Sequence, residues 1–141
     1  MQVIGFNFTK ISAEKAQTSK NLKINSNIEF INLEKEKIDL LKDSEAVKVY
    51  FKHSLTYETD EEKKETPKAG ELLFEGTMLL SVTKQEAKDI FKNWKKKQIH
   101  PSLRMPLFNL ILKRCAPKAM QLQEEIGLPS HIPIPRLTQK Q

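Results

Sequence analysis

The chain has few of the residues from which catalytic and metal sites are usually built. It contains one cysteine, Cys115, and four glycines that stand singly. One cysteine excludes an intramolecular disulfide and a cysteine zinc cluster within one chain. The scattered glycines form no phosphate-binding loop, and the chain has neither a nucleophile elbow nor a His-Glu-x-x-His helix. His53, His100 and His131 do not stand at metal-ligand spacing. We therefore expect a protein that is not an enzyme and has no cofactor or metal.

Long apolar runs are also missing from the sequence. No stretch approaches the roughly 20 apolar residues of a membrane span, and the N-terminus lacks the layout of a signal peptide. We expect one cytoplasmic domain over residues 1–141, without membrane insertion, including a charged loop at 59–70 and a proline-rich tail at 129–141. The formal net charge is +6, but most lysines are interleaved with glutamate, a pattern typical of a solvated surface.

Four segments alternate between apolar and polar side chains, the period of two that indicates β-strands. The first segment changes parity at Ile11, which predicts a bulge near Lys10 or a strand buried on both faces. The second changes parity at Ile31, and two long strands that both change face predict strong bending or coverage of one face by different partners. Gly76 interrupts the fourth and predicts a bulge or a close backbone approach. The four segments cover residues 3–11, 22–33, 47–57 and 72–82.

The first helical pattern begins directly after the fourth strand. Thr83 and Glu86 match a capping box, in which each side chain bonds to the backbone N–H of the other. Ala87, Ile90 and Trp94 continue the apolar stripe, and the helix frays in the lysine-rich sequence that follows. Residues 34–44, between the second and third strands, fit either a short helix or a loop.

A longer helix is predicted over residues 103–128, where apolar residues recur at three- and four-residue steps. Ser102 is the expected N-cap and Gly127 the left-handed C-cap. Pro117 predicts a kink or a junction of two helices. Four strands followed by two helices predict an α+β fold, with a four-stranded antiparallel sheet and two helices on one side, the C-terminal one long.

The apolar stripes of the helices, the strands that change face and the tail offer more hydrophobic surface than one four-stranded sheet needs. This excess predicts an oligomer or a groove for extended apolar segments. The basic sequence from Trp94 to Arg104 supports an alternative, a nucleic-acid-binding protein that uses Lys95, Lys96, Lys97 and Arg104. The C-terminal end of a helix also explains these lysines, because its negative partial charge favours cations there. A third alternative is an enzyme whose site is assembled from distant residues.

The order of elements resembles that of the SecB-like protein-export chaperones. The opening strand VIGFNFTKISAEKA and the segment LPSHIPIPRL, after the long helix, carry the resemblance, which covers residues 3–137. The resemblance implies a homotetramer, built as a dimer of dimers, that binds unfolded polypeptides in apolar grooves without ATP. The familiar export chaperones are acidic, whereas this chain is basic. A general holding chaperone, or one dedicated to a partner such as an antitoxin, therefore fits as well as one that serves export.

The resemblance also implies two sets of functional residues. The residues implied for polypeptide binding are Phe6, Phe8, Ile11, Phe51, Leu55, Tyr57, Phe74, Met78, Ile132 and Ile134. The residues implied for the contact between dimers are Leu107, Leu110, Ile111 and Leu122.

Overall fold

The computed structural model describes residues 1–16, 22–38, 44–59, 69–135, 137 and 139. Most of the predicted loop at 59–70, part of the undecided segment at 34–44 and the last residues of the tail lie outside the described residues. Four strands precede two helices. They are β1 (Gln2–Lys15), β2 (Leu22–Glu36), β3 (Glu45–Thr59), β4 (Gly70–Val82), α1 (Lys84–Trp94) and α2 (Pro101–Ile126).

The four strands form one antiparallel sheet in the order β1-β4-β3-β2. The first strand therefore pairs with the last, and Phe6 lies opposite Met78. β3 and β4 occupy the centre, while β1 and β2 are the edges. The predicted α+β fold is confirmed, because two helices, the C-terminal one long, follow this sheet. Neither helix is long and apolar enough to cross a membrane, in a search confined to the described residues.

Two irregularities in strand pairing explain the changes of parity in the sequence. The ladder between β1 and β4 shifts register between Phe8 and Lys10, which confirms the bulge predicted near Lys10. The ladder between β2 and β3 shifts between Phe30 and Asn32. Each shift inserts one residue, so side chains of both parities point to the same face. Ile11, for example, lies opposite Phe74 of β4, and Phe74 is buried in the core.

The hydrophobic core lies between one face of the sheet and the two helices. Alternate residues of β3 from Val47 to Tyr57 are buried, and the residues between them are half-buried on the other face. α1 contributes Ala87 and Ile90. α2 buries every fourth residue along its length: Leu103, Leu107, Ile111, Cys115, Ala119 and Gln123.

At Gly76 of β4, the backbone of β1 and the ring of Phe51 both come close to the glycine. A Cβ atom at this position would collide with the carbonyl oxygen of Asn7 and would lie 2.9 Å from a ring carbon of Phe51. The prediction of a close backbone approach is confirmed. The register shift nearby occurs in the opposing strand β1, after Phe8.

The observed ends of the two helices agree in part with those predicted from the sequence. The Thr83 hydroxyl accepts from the Glu86 N–H and the Glu86 carboxylate accepts from the Thr83 N–H, both at 3.1 Å, which confirms the capping box. Gly127 has a φ of 72° and forms the predicted left-handed C-cap of α2. The prediction that Ser102 is the N-cap of α2 is wrong. Proline is favoured at the first helical position, so α2 begins at Pro101 and His100 becomes the cap.

Pro117 does not divide α2 into two helices, because the helix is continuous from Pro101 to Ile126. The proline ring removes one N–H that would bond to the carbonyl of Lys113. Both residues are exposed, so water can satisfy that carbonyl.

Candidate functional site

The helices cover the central strands more completely than the edge strands. Phe51 of β3 and Phe74 of β4 are almost fully buried, whereas Phe6 of β1 and Phe30 of β2 are only half-buried. All four side chains belong to the same hydrophobic cluster or pack against it. Apolar surface is therefore left on both edge strands, beside the helices.

The first of these surfaces lies along β1. The rings of Phe6 and Phe8 meet edge to face with centres 5.1 Å apart, and Ile11 further along the strand is 43% exposed. Two cations of α2 lie above the rings. The guanidinium of Arg114 is 5.0 Å from the centre of the Phe6 ring, and the ammonium of Lys118 is 5.4 Å from that of Phe8. We call Phe6, Phe8, Ile11, Arg114 and Lys118 the β1 surface.

Rings of the core support the β1 surface from below. The centre of the Phe6 ring lies 5.2 Å from that of Phe51, and the centre of the Phe8 ring lies 6.0 Å from that of Phe74. Such aromatic contacts contribute roughly 0.5–1.5 kcal/mol each beyond their buried area. Phe6 and Phe8 therefore each pack on one side against a buried ring of the core.

The second surface is a cavity of about 450 Å³ between β2, the connection from α1 to α2, and α2 itself. The rings of Phe30 and Phe108 stack in it with centres 5.3 Å apart and planes 7° apart. Aliphatic and aromatic side chains from the connection complete the apolar wall. We call this cavity the connector pocket, and its lining residues are Ile28, Phe30, Asn93, Trp94, Lys97, Gln98, Ile99, Pro101, Arg104 and Phe108.

Both surfaces are bordered by cations that form no ion pair with another described residue. In the connector pocket the guanidinium of Arg104 lies 5.5 Å from the centre of the Phe108 ring, and Lys97 also lines the cavity. Within the described part of the chain, the ion pairs join the N-terminal ammonium to Glu86 and Lys35 to Glu45. Neither pair involves a cation of the two surfaces. Their positive charge is thus available to a bound molecule.

The tail after α2 is fixed to the end of the sheet by a buried hydrogen-bond chain. The Nε2 of Gln123 donates to the Tyr57 hydroxyl at 2.6 Å, and that hydroxyl donates to the carbonyl oxygen of Pro129 at 2.8 Å. The same Nε2 lies 2.9 Å from Nδ1 of His131. Beyond this anchor Ile134 is 58% exposed.

Burial shifts the pKa of several groups near this anchor. Desolvation lowers the pKa of His53 and of His131, and it raises the pKa of Tyr57. The Nδ1–H of His53 donates to the carbonyl oxygen of Asn27 at 3.1 Å. Desolvation also raises the pKa of the Cys115 thiol to about 12. No cluster of three metal-ligating side chains occurs in the part of the chain that the structure describes.

The structure divides the residues implied for polypeptide binding into two groups. Within the single chain, five of them are buried core residues and offer no surface: Phe51, Leu55, Tyr57, Phe74 and Met78. The other five are half-buried or exposed: Phe6, Phe8, Ile11, Ile132 and Ile134.

The residues implied for the contact between dimers are divided in a similar way. Leu107 and Ile111 are fully buried beneath the sheet, and Leu110 and Leu122 are half-buried against the core. The apolar side chains that α2 exposes are different ones. Met105 is 62% exposed and Leu112 is 41% exposed.

Several residues of the two surfaces were missed from the sequence. Phe108 falls outside the apolar stripe of α2, and its partner Phe30 lies about 80 residues earlier, so no local pattern joins them. Arg114 and Lys118, in contrast, could have been recognised from the sequence. They stand four residues apart and therefore share one helix face, next to the strand that bears Phe6.

No protein-family model and no curated protein sequence matches the chain. Among solved structures, it is similar to the Mycobacterium tuberculosis Rv1957 SecB-like chaperone, in complex with a ChAD peptide from the Rv1956 HigA1 antitoxin. The TM-score is 0.53 at 16% sequence identity, and the match covers 99% of this chain and 92% of the other. The similarity therefore extends over nearly the whole of both chains, and the protein described here has a SecB-like α+β fold.

Proposed function

We propose that this protein is an ATP-independent holding chaperone that binds non-native polypeptide on the β1 surface and in the connector pocket. The observation that carries the proposal is the incomplete cover of the edge strands. Phe6 and Phe8 on one side, and Phe30 and Phe108 on the other, are half-buried aromatic side chains beside α2. Exposed apolar area of this kind marks sites that bind other molecules. The SecB-like neighbour, which is a chaperone solved with a bound peptide, supports the same function.

Unfolded polypeptide is a suitable ligand for surfaces that run along strands. An extended segment places alternate side chains on one face, and these can enter apolar sites while the backbone pairs with an exposed sheet edge. β1 and β2 both end the sheet in the single chain, and β2 is the edge left for the client in the tetramer proposed below. Folded proteins keep their apolar side chains inside and would not bind.

Holding a flexible segment costs conformational entropy, so one short contact gives weak binding. Several surfaces that act together on one long client raise the apparent affinity. We therefore propose a homotetramer, arranged as a dimer of dimers, in which the β1 edge and the exposed face of α2 make the contacts between chains. Met105 and Leu112 are the apolar residues of α2 that such a contact would cover. A cytoplasmic location is part of the proposal.

The test is the solution mass of the full chain, measured by light scattering with and without a reduced, unfolded client protein. We expect a tetramer that forms a soluble complex with the unfolded client and ignores the same protein when folded. Suppression of client aggregation should survive removal of nucleotide with apyrase and of metal with EDTA. A monomer that leaves client aggregation unchanged would overturn the proposal, as would protection that requires nucleotide.

A further inference from the structure

We infer that the connector pocket selects polypeptide segments in which a large apolar side chain stands beside aspartate or glutamate. The inference rests on the proposed function and specifies the class of client that the pocket binds. It joins two features that the sequence presents separately, the basic residues between Trp94 and Arg104 and the apolar surface on β2. In the structure Lys97 and Arg104 of that basic sequence line one cavity together with Ile28 and Phe30 of β2.

The apolar part of the pocket has room for a large side chain. Its volume of about 450 Å³ lies within the roughly 300–1,000 Å³ of ordinary ligand sites. The stacked rings of Phe30 and Phe108 form one wall, and Ile28 and Ile99 add aliphatic surface. A phenylalanine or leucine of a client would bury its side chain against these groups, with the gain in free energy that apolar burial brings.

The charged part of the pocket is one-sided. Arg104 and Lys97 line it, and no aspartate or glutamate is among its described lining residues. The guanidinium carbon of Arg104 lies 5.5 Å from the centre of the Phe108 ring, and neither ion pair among the described residues engages its N–H groups. Those N–H groups match the two oxygens of a carboxylate. An acidic residue next to the inserted apolar side chain would satisfy them.

The β1 surface repeats this combination on the other side of α2. Arg114 lies over Phe6 and Lys118 over Phe8, again with ring and cation side by side. A client that carried acidic residues among its apolar ones would therefore meet the same chemistry on both surfaces. A basic segment would instead place like charges next to each other, which weakens binding.

The pocket fits acidic polypeptide better than nucleic acid. A nucleic-acid backbone carries a regular row of phosphates and needs a row of cations that follows it. Here Arg104 lies 5.5 Å from the centre of an aromatic ring, and Ile28 and Ile99 line the same cavity. The apolar wall would gain nothing from a phosphate.

The experiment measures the affinity of the full-length protein for three fluorescent peptides by anisotropy. Each peptide has the same leucine- and phenylalanine-containing centre, flanked by glutamate, glutamine or lysine. We expect the glutamate peptide to bind about tenfold more tightly than the lysine peptide, with glutamine between them. The double variant Lys97→Gln/Arg104→Gln should lose about three- to tenfold in affinity for the glutamate peptide while its affinity for the glutamine peptide changes little.

A matched control is the double variant Lys84→Gln/Lys88→Gln, which removes the same charge from the exposed side of α1. It should keep the preference for glutamate. Equal binding of all three peptides, or an equal loss in both double variants, would overturn the inference and leave the proposed function intact. Failure to bind any of the three would contradict the proposed function as well. A single-stranded oligonucleotide that binds more tightly than the glutamate peptide, and displaces it, would identify a polyanion site instead.

Discussion

The ring of Phe51 occupies the space beside Gly76 where a side chain would stand. Its nearest ring carbon is 2.9 Å from the position of a Cβ atom on Gly76. Gly76 belongs to β4, which separates β3 from β1. The missing side chain lets the ring extend across β4 and contact Phe6 of β1 at a centre distance of 5.2 Å. Because Gly76 has no side chain, the core ring of Phe51 can reach the half-buried Phe6 at the sheet edge.

Replacing Gly76 by alanine should destabilise the protein by about 1–3 kcal/mol or more, because an overpacked core must move a ring or a strand. An alanine Cβ at this position would also collide with the carbonyl oxygen of Asn7 in β1. Urea unfolding gives the free energy. Gly5→Ala is the control, since its Cβ would meet only the Cβ of Leu79, at 3.3 Å. An equal loss in the two variants would contradict this explanation.

Removing the hydroxyl of Tyr57 should cost about 1–3 kcal/mol, the penalty for leaving buried partners unsatisfied. Tyr57→Phe takes a donor from the Pro129 carbonyl and an acceptor from Gln123. The tail from Pro129 onward should also be cleaved faster by a protease. Tyr50→Phe removes an equivalent hydroxyl, but that one bonds to the exposed Glu34 and should cost well under 1 kcal/mol. Equal effects of the two substitutions would rule out a role for the buried chain.

Acidification should weaken the fold through His53 and His131. Burial lowers the pKa of both, so below their ordinary pKa of about 6.5 the unfolded chain binds protons more readily. The stability they contribute is present above pH 6.5 or so and is lost as pH falls through the lowered pKa values. Urea unfolding between about pH 7.5 and about pH 5 measures this loss.

The variant His131→Gln should lose less stability over the same pH range, because one of the two histidines no longer takes up a proton. An unchanged pH dependence would show that His131 does not contribute. The range stops above the ordinary pKa of a glutamate, and the pKa of Glu86 is lowered further. Its pKa is lowered chiefly by the N–H of Thr83, so its contribution is lost at lower pH.

Cys115 should be unreactive in the folded protein. It is fully buried in α2, and burial raises its pKa to about 12, which leaves almost no thiolate at neutral pH. A thiol reagent such as DTNB should therefore label it at the rate of global or local unfolding and label it quickly in urea. Fast labelling without denaturant would show that this part of α2 opens readily.

Ile11→Ser should weaken holding of an unfolded client with little effect on stability, because the side chain is 43% exposed on the β1 surface. Suppression of client aggregation, measured over a range of chaperone concentrations, should require several-fold more protein. Ile31→Ser is the control, since Ile31 is 53% exposed and lies outside both surfaces. Equal effects of the two variants would show that exposed isoleucine in general, not the β1 surface, determines binding.

The features that could be predicted from sequence are those that depend on near neighbours along the chain. Alternation and parity located the four strands and the bulge near Lys10, and the spacing of Thr83 and Glu86 located the start of α1. The N-cap of α2 was missed because His100, a rare capping residue, takes the place of Ser102. Its ring Nδ1 accepts from the Ser102 N–H at 3.3 Å.

Exposure could not be predicted, because it depends on which strands lie at the edge. Phe6 and Phe51 are both aromatic residues on apolar faces of strands, yet only Phe51 is buried. The difference comes from the order β1-β4-β3-β2, which no local pattern contains. Gln123 shows the opposite situation, a polar side chain that is buried. A polar residue in a helix suggests solvent, but its partner Tyr57 lies 66 residues away in sequence and makes its burial favourable.

The pairing of the first strand with the last also determines when this protein can fold as it is synthesised. β1 leaves the ribosome before the other three strands, yet its partner β4 follows about seventy residues later, and contacts this distant in sequence form slowly. Through that interval the edge of β1 is unpaired, and Phe6 and Phe8 have no core to pack against. A nascent chain of this protein therefore exposes aggregation-prone aromatic side chains until synthesis has passed Val82, where β4 ends.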